Sequence, residues 1–236
     1  MTLYVLVTGD PVASVRERRG AFVDLFRDAI GDAGSGAIVA IDCRLPLAPL
    51  PLDASALVVT GSSAHVPDRE PWVLEGEQFL REVVARGVPT LGVCFGHQML
   101  GQGLGGRCVR NPRGREIGTL RIERLAGAAS DPLFGDVAEV FEANVTHLDT
   151  VSELPPGAVP LARTAQEDHH AVRFGETCWG VQFHPEIDRD VMCGYLDARR
   201  EVLTTEGRDV DAMLGEARET PASREILRRF VRMFVR

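Results

Sequence analysis

The chain contains no lysine, so all 26 of its basic side chains are arginine. The absence of an amine side chain excludes lysine Schiff-base chemistry, a Ser-Lys catalytic pair and the lysine-containing phosphate loop of many ATP-using enzymes. Acidic residues number 34, which gives a formal net charge of −8. This balance disfavours nucleic acid or an anionic membrane as the main partner, because both bind basic surfaces.

Cysteine is scarce and irregularly spaced, with five residues at positions 43, 94, 108, 178 and 193. Because no C-x-x-C pair or zinc-type cluster occurs, we predict free thiols in a reducing compartment. The adjacent His169 and His170 lack carboxylate or cysteine ligands at a suitable spacing, so no metal is expected. The chain shows neither a basic leader nor a run of about 18 apolar residues. A cytoplasmic location, without a membrane partner, is therefore expected.

Short apolar runs alternate with amphipathic stretches in the first half of the chain, a pattern typical of a parallel sheet covered by helices. The predicted strands are Leu3 to Thr8, Ala37 to Asp42, Ala56 to Thr60 and Val88 to Cys94, and the predicted helices are Val15 to Ile30 and Val73 to Arg86. The proline-rich segment RLPLAPLPLD favours a surface connection, because proline fits neither a helix interior nor a central strand.

After Gly106, short alternating segments separated by Gly, Pro and Asp turns predict a more antiparallel continuation of the sheet. These segments are Glu116 to Arg124, Ala138 to Ala143, Val159 to Arg163, Ala171 to Phe174 and Thr177 to Phe183. From Asp188 onward the pattern is helical, with an apolar stripe near the C-terminus that we expect to pack on the body. No repeat or linker divides the sequence, which predicts one domain over 1–236 with a C-terminal helical extension at about 188–236.

The segment VPTLGVCFGHQMLGQGLGG indicates a nucleophile elbow, in which a buried strand turns sharply into a helix. A side chain on such a turn sits in a strained backbone conformation, so its neighbours two positions away must be small. Gly92 and Gly96 meet this demand around Cys94. The predicted helix from about Phe95 to Leu104 directs its positive dipole end towards the sulfur, which favours the thiolate. The other four cysteines lack this setting.

A cysteine nucleophile needs a base, and the candidate is His184 in the segment WGVQFHPEI. Pro185 favours an extended conformation for His184. In an extended segment side chains two apart share a side, so Glu186 could orient the imidazole. The predicted triad is therefore Cys94 as nucleophile, His184 as base and acid, and Glu186 as orienting group. An α/β-hydrolase is disfavoured, because in that fold the acid precedes the histidine.

The motifs GVCFGHQ and FHPE together resemble the class I (triad-type) glutamine amidotransferases. Further stretches resemble the free-standing subgroup that is similar to the amidotransferase domain of GMP synthase. They are VVTGSSAHVPDREPW, NPRGREIGTLRI and THLDTVSELPPGA. The resemblance implies an α/β, flavodoxin-like doubly wound sheet, mostly parallel, with helices on both faces. It also implies hydrolysis of the glutamine side-chain amide to glutamate and ammonia through a γ-glutamyl thioester, without a cofactor.

An oxyanion formed by attack of the cysteine would be bound by the backbone N–H of Phe95, which the elbow provides. By resemblance, the second donor is the backbone at Gly61, where the missing side chain permits close approach to substrate. The resemblance also implies substrate contacts, which we assign to Ser62, Gln98, Thr146 and His147. Arg115 and Glu116 are expected near the pocket, with no assigned role.

Several functions fit these residues. The first is a glutaminase that passes ammonia to a synthetase on another chain, which the lack of an ATP-binding loop suggests. The second is a free-standing γ-glutamyl peptidase or hydrolase, because the same thioester forms from γ-glutamyl peptides and amines. The third is a binding or regulatory protein that retains the fold without the reaction, which the complete predicted triad disfavours. The sequence leaves the ammonia acceptor, the partner and the oligomeric state open.

Overall fold

The computed structural model describes residues 1–34 and 36–235, which form a nine-stranded sheet flanked by helices and a separate two-stranded ribbon. The strands are β1 (Thr2–Val7), β2 (Ala37–Asp42), β3 (Ala56–Val59), β4 (Thr90–Val93), β5 (Arg107–Arg110), β6 (Glu116–Arg124), β7 (Val140–His147), β8 (Asp149–Glu153), β9 (Val159–Arg163), β10 (Ala171–Gly175) and β11 (Cys178–Val181). The helices are α1 (Ala13–Arg19), α2 (Phe22–Ile30), α3 (Pro71–Ala85), α4 (Phe95–Gly103), α5 (Arg189–Ala198), α6 (Arg200–Thr205), α7 (Val210–Glu216) and α8 (Pro221–Phe234).

The large sheet has the order β2-β1-β3-β4-β11-β10-β9-β6-β7. Its first five strands pair in parallel, and its last four continue in antiparallel pairs. The parallel part has the flavodoxin-like order in which ligands bind outside the carboxyl ends of the strands. The predicted α/β, doubly wound, mostly parallel sheet with an antiparallel extension is therefore confirmed.

Two hydrophobic cores lie on opposite faces of the sheet. Alternation along β3 divides its residues between them, since Ala56 and Val58 face one core while Leu57 and Val59 face the other. Helices α1, α2, α5 and α8 cover the first core, and α3 and α4 cover the second. The period of two in a strand places neighbouring side chains on opposite faces, so β3 and β11 contribute to both cores.

The helix predicted over Val15 to Ile30 is wrong in one respect, because the structure divides it into α1 and α2 at Gly20. Gly20 has a φ of +85°, a conformation that a side chain would strain. The Asp24 carboxylate then accepts the N–H of Ala21 at 2.9 Å and caps the second helix. Periodicity alone did not reveal the break, because both helices present apolar faces to the same core.

The strands and helices after Gly106 are present as predicted, but some begin or end at other residues. The strand predicted to end at Ala143 continues through His147, and the ribbon formed by β5 and β8 was not predicted. The C-terminal stripe is buried against the body through Ile226, Leu227 and Phe230, as expected. The proline-rich segment forms a connection without helix or strand. In the described residues, no helix is long and apolar enough to span a membrane.

Candidate functional site

The candidate residues meet at the carboxyl edge of the parallel strands. Asp10 follows β1, Gly61 follows β3, Cys94 follows β4 and His184 follows β11. Parallel strands end at the same edge of a sheet, so residues from four distant parts of the chain are brought together there. The strand order places β4 between β3 and β11, with Cys94 in the middle.

Cys94 occupies a strained turn between β4 and α4. Its φ is +52° and its ψ is −105°, and Arg69 is the only other non-glycine residue with positive φ in the described part of the chain. A β-carbon on Gly92 would lie 2.6 Å from the carbonyl of Gly96, and one on Gly96 would lie 2.5 Å from the Val59 carbonyl oxygen. The two glycines therefore allow the close packing that the elbow requires.

His184 and Glu186 form a buried pair, with exposures of 2% and 3%. His184 Nδ1 donates a hydrogen bond to Glu186 Oε1 at 2.7 Å. The predicted contact is present, but the prediction that the segment continues extended to Glu186 is wrong, because Pro185 and Glu186 lie in a turn in which the Ile187 N–H donates to the His184 carbonyl at 3.3 Å. The turn, rather than the alternation of a strand, brings the carboxylate to the imidazole.

Gly61 shows how closely the imidazole and Cys94 approach. A β-carbon on Gly61 would lie 2.9 Å from His184 Cε1 and 3.7 Å from Cys94 Cβ, so the same small volume touches both side chains. His184 Nε2 is buried and makes no hydrogen bond within the described residues. This ring nitrogen is therefore available to exchange a proton at the site.

The charges around His184 favour its protonated form. Burial alone lowers the pKa of His184, but the negative charges of Glu186 and Cys94 outweigh burial and raise this pKa from 6.5 to about 10. An imidazolium beside the sulfur in turn favours the thiolate, which is the nucleophilic form of cysteine.

Gly61 lies beside Cys94, and Phe95 directly follows Cys94 in the chain. Phe95 is the first residue of α4, so its N–H has no partner within the helix. Neither this N–H nor that of Gly61 is among the paired backbone groups of the described chain. A network holds the Gly61 peptide: the Thr8 N–H donates to Thr60 Oγ1 at 3.0 Å, and the Thr60 hydroxyl donates to the Gly61 carbonyl at 3.0 Å.

Two cavities adjoin Cys94, and both are also lined by Ser62, Thr146 and Arg199. The Gln98 chamber, of about 210 Å³, is further lined by Gln98, Arg115, His147 and Asp149. The His184 chamber, of about 370 Å³, is further lined by Asp10, Val12, His184 and Tyr195. Cys94 therefore lies between two spaces, of which only one contains the imidazole.

The residues assigned to substrate contact all line these chambers. Thr146 lies beside Cys94, with its carbonyl oxygen 3.7 Å from Cys94 Sγ. Ser62 Oγ accepts the N–H of Ala64 at 3.1 Å, which orders its loop. Gln98 Nε2 donates to the Asp149 carbonyl at 2.9 Å and to Gln182 Oε1 at 3.0 Å, so its amide is held in one orientation.

His147 lines the Gln98 chamber, but its ring bonds within the protein. Nδ1 donates to the Asp149 carbonyl at 3.0 Å, and Nε2 shares a hydrogen bond of 3.0 Å with Glu116 Oε2. A contact between this imidazole and substrate would require one of these hydrogen bonds to break. His147 therefore contributes to the wall of the chamber through a buried side-chain network.

Glu116 is the centre of that network. Its Oε2 also accepts from His170 Nε2 at 3.0 Å, and its Oε1 accepts the Thr164 hydroxyl at 2.6 Å. Burial alone disfavours the charged carboxylate, but the hydrogen bonds from His147 and His170 lower the pKa of Glu116 well below its ordinary range. The three groups offer ligand atoms within 4.8 Å of one another and could hold a metal ion. This grouping was missed because its members are distant in sequence.

The remaining cysteines differ from Cys94. All five are free, as predicted. Burial raises the pKa of Cys43 to about 12 and raises those of Cys108 and Cys178 further. These thiols are therefore neutral and unreactive near neutral pH.

Three residues in the wall of the His184 chamber were missed from the sequence: Asp10, Tyr195 and Arg199. Asp10 follows β1, and the other two lie in the C-terminal helical region. No local motif marks them. The topology of the sheet could have indicated Asp10, because it follows a parallel strand, but nothing in the helical periodicity singles out Arg199.

The sequence of this chain is similar to those of known proteins. The family model described as glutamine amidotransferase class-I matches residues 47–192. A GMP synthase (glutamine-hydrolyzing) from Thermomicrobium roseum is 34% identical over a segment covering 58% of this chain and 24% of that protein. A γ-glutamyl-L-1-hydroxyisopropylamide hydrolase from a Pseudomonas species is 30% identical over 69% of this chain and 57% of that protein. The matched segments thus span only part of each of these relatives.

A solved structure supports the fold. The crystal structure of a glutamine amidotransferase from Thermotoga maritima superposes with a TM-score of 0.78 and 22% identity, covering 99% of this chain and 98% of that one. Because the family model matches more than half of the chain, the sequence relationship is established independently of this likeness. The protein belongs to the class I glutamine amidotransferase family.

Proposed function

We propose that the protein hydrolyses the side-chain amide of glutamine to glutamate and ammonia, using Cys94, His184 and Glu186. The observation that carries this proposal is the approach of His184 and Cys94 to one another at Gly61, with the cysteine in the strained elbow conformation. In this arrangement Cys94 is the nucleophile, His184 transfers protons and Glu186 orients and charges the imidazole.

In the first half of the reaction, the Cys94 thiolate attacks the amide carbon and pushes the carbonyl electrons onto oxygen. The N–H groups of Gly61 and Phe95 stabilise this oxyanion, and losing one such donor typically costs about 2.7–4 kcal/mol of transition-state stabilisation. His184 Nε2 donates its proton to the amide nitrogen as the carbon–nitrogen bond breaks. Ammonia leaves, and a γ-glutamyl thioester remains on the sulfur.

In the second half, neutral His184 takes a proton from water, which attacks the thioester carbon. The carbon–sulfur bond then breaks, releasing glutamate and restoring the thiolate and imidazolium pair. Glutamine is the substrate suggested by the likeness to GMP synthase. On this proposal the ammonia passes to a synthetase on another chain.

Hydrolysis of larger γ-glutamyl amides is a second candidate activity, and the size of the His184 chamber favours it. The proton donor must reach the departing nitrogen, so the leaving group departs into the chamber that contains His184. That chamber has a volume of about 370 Å³. By the same measure of volume a water molecule needs only about 10–15 Å³, and ammonia is close to water in size. A peptide or an amine would use the remaining space.

The test is covalent labelling of Cys94 together with release of glutamate. We expect a glutamine-derived electrophile to modify Cys94 alone, as seen by mass spectrometry, and Cys94→Ala to reduce turnover of glutamine and γ-glutamyl amides by roughly 10⁴-fold or more. Cys193→Ala is the matched control, because this free thiol lies on α5 outside both chambers. Labelling at another cysteine, or hydrolysis that survives in Cys94→Ala, would contradict the proposal.

A further inference from the structure

Arg199 lies at the junction of α5 and α6, where its side chain lines both chambers next to Cys94. It lies outside residues 47–192, the segment matched by the family model. The C-terminal helices therefore supply a charged group to a site whose other candidate residues come mostly from the edge of the sheet.

The guanidinium of Arg199 forms no salt bridge with a carboxylate side chain of residues 1–34 and 36–235. Its Nη1 is buried and makes no hydrogen bond there. The Tyr195 ring lies beneath it, with the guanidinium carbon 4.9 Å from the ring centroid. Burial lowers the pKa of Arg199 and the nearby charge of Arg115 acts in the same direction, whereas Tyr195 and Cys94 raise it. Arg199 is half-buried, and it lacks the carboxylate partner that cations withdrawn from water usually have.

Arg115 offers a useful contrast. Its Nε donates to Glu206 Oε1 at 3.0 Å, so an acidic group already balances its charge. Arg115 lines only the Gln98 chamber, as does Asp149. Arg115 and Asp149 thus give the Gln98 chamber a cation and an acidic side chain, which complement the carboxylate and the ammonium of an amino acid. Arg199 differs in reaching the His184 chamber as well.

We propose that Arg199 binds a carboxylate on the leaving group of the substrate, so that the His184 chamber favours γ-glutamyl amino acids and peptides over glutamine. A guanidinium presents paired donors that match a carboxylate in a bidentate geometry. The leaving group must occupy the chamber from which His184 delivers its proton, and Arg199 is a cation on that wall. This inference rests on the second candidate activity in the proposed function.

The experiment compares three substrates that share the γ-glutamyl group: γ-glutamyl-alanine, γ-glutamyl-alanine amide and glutamine. We expect the wild-type chain to prefer γ-glutamyl-alanine, and Arg199→Gln to lower kcat/KM for this substrate alone by roughly 10- to 100-fold, the range for a lost charged hydrogen bond. Arg199→Lys should restore part of the loss. Arg200→Gln is the matched control, because Arg200 pairs on the surface with Asp197 and Asp211.

Two outcomes would overturn the inference. An equal loss on all three substrates would assign Arg199 to the shared γ-glutamyl group or to structure, and unchanged kinetics would remove it from recognition altogether. If the wild-type chain turns over none of the three, the proposed function fails separately. Calorimetric binding of γ-glutamyl-alanine and its amide to Cys94→Ala, with and without Arg199→Gln, then still decides whether Arg199 recognises the carboxylate.

Discussion

At the scale of single residues, a buried carboxylate sets the charge of the imidazole that serves Cys94. Glu186 is almost fully buried, and one of its oxygens binds His184 while the other makes no hydrogen bond in the described part of the chain. A carboxylate placed this way favours the imidazolium and thereby the adjacent thiolate. On our proposal, the pH range of activity therefore depends on Glu186, a residue that does not touch the substrate.

We predict that Glu186→Gln shifts the alkaline limit of activity to lower pH. On our proposal, kcat/KM rises with pH as the thiolate forms and falls as the imidazolium loses its proton. The pKa of His184 is raised to about 10, and Glu186 is the main group that raises it. Its neutral replacement should bring this pKa towards the ordinary value of 6.5, with a smaller loss of rate than Cys94→Ala causes.

The measurement is a profile of kcat/KM from about pH 5 to pH 11, using a γ-glutamyl substrate. Glu176→Gln is a suitable control, because Glu176 is exposed in the turn that precedes β11, at the end of this strand opposite to His184. An alkaline limb at the same pH in the wild-type chain and in Glu186→Gln would contradict the assigned role.

At the scale of elements, the elbow depends on the close approach of α4 to the sheet. Gly96 packs directly on β3, and its N–H donates to the Thr60 carbonyl at 3.1 Å. This contact fixes the start of α4, and with it the direction of the Phe95 N–H. The same glycine that permits the strained turn thus also positions the proposed oxyanion donor.

We predict that Gly96→Ala destabilises the protein, although alanine normally favours a helix over glycine by about 1 kcal/mol. The new methyl group would meet the Val59 carbonyl oxygen at 2.5 Å, and this backbone atom cannot move aside without displacing β3. We expect a loss of about 1–3 kcal/mol in the free energy of unfolding, measured in urea, together with a loss of activity.

The matched control is Gly215→Ala. Gly215 lies in α7, where an added β-carbon would meet no atom within 4 Å. This variant should be slightly more stable than the wild-type chain and fully active. Equal effects of the two substitutions would show that the contact with β3 does not constrain the elbow.

At the scale of the whole molecule, the C-terminal helices complete one of the two cores. Phe230 of α8 is fully buried and contacts Trp179 of β11 edge to face, with ring centroids 6.3 Å apart. Trp72 lies on the other side of the sheet, stacked on Phe95 at 5.6 Å. Because β3 and β11 contribute to both cores, we propose that the chain is one domain that unfolds as a unit.

We predict that Phe230→Ala lowers the free energy of unfolding by about 3–5 kcal/mol, because it leaves a cavity beside Trp179. The proposed single domain requires both cores to respond. The variants Trp72→Phe and Trp179→Phe each retain one tryptophan, whose fluorescence reports on one core. With or without Phe230→Ala, the two tryptophan signals should show unfolding at the same urea midpoint. Two separate transitions, with only the Trp179 signal shifted by Phe230→Ala, would contradict a single domain.

Much of this molecule follows from sequence by local rules. Alternating apolar runs specify strands because side chains point to opposite faces of a sheet, and the spacing of Gly92, Cys94 and Gly96 specifies the elbow because only glycine fits beside it. The turn that joins His184 to Glu186 is equally local, although its conformation differs from the extended one predicted.

Tertiary structure alone decided which distant groups share a cavity. Arg199 reaches the chambers, and Glu116 gathers His147 and His170, only because packed helices and a long sheet bring together segments that are far apart in the chain. Sequence periodicity records which face of an element is buried, but not which other element covers it. The charge in the wall of the His184 chamber is therefore a property of the folded molecule.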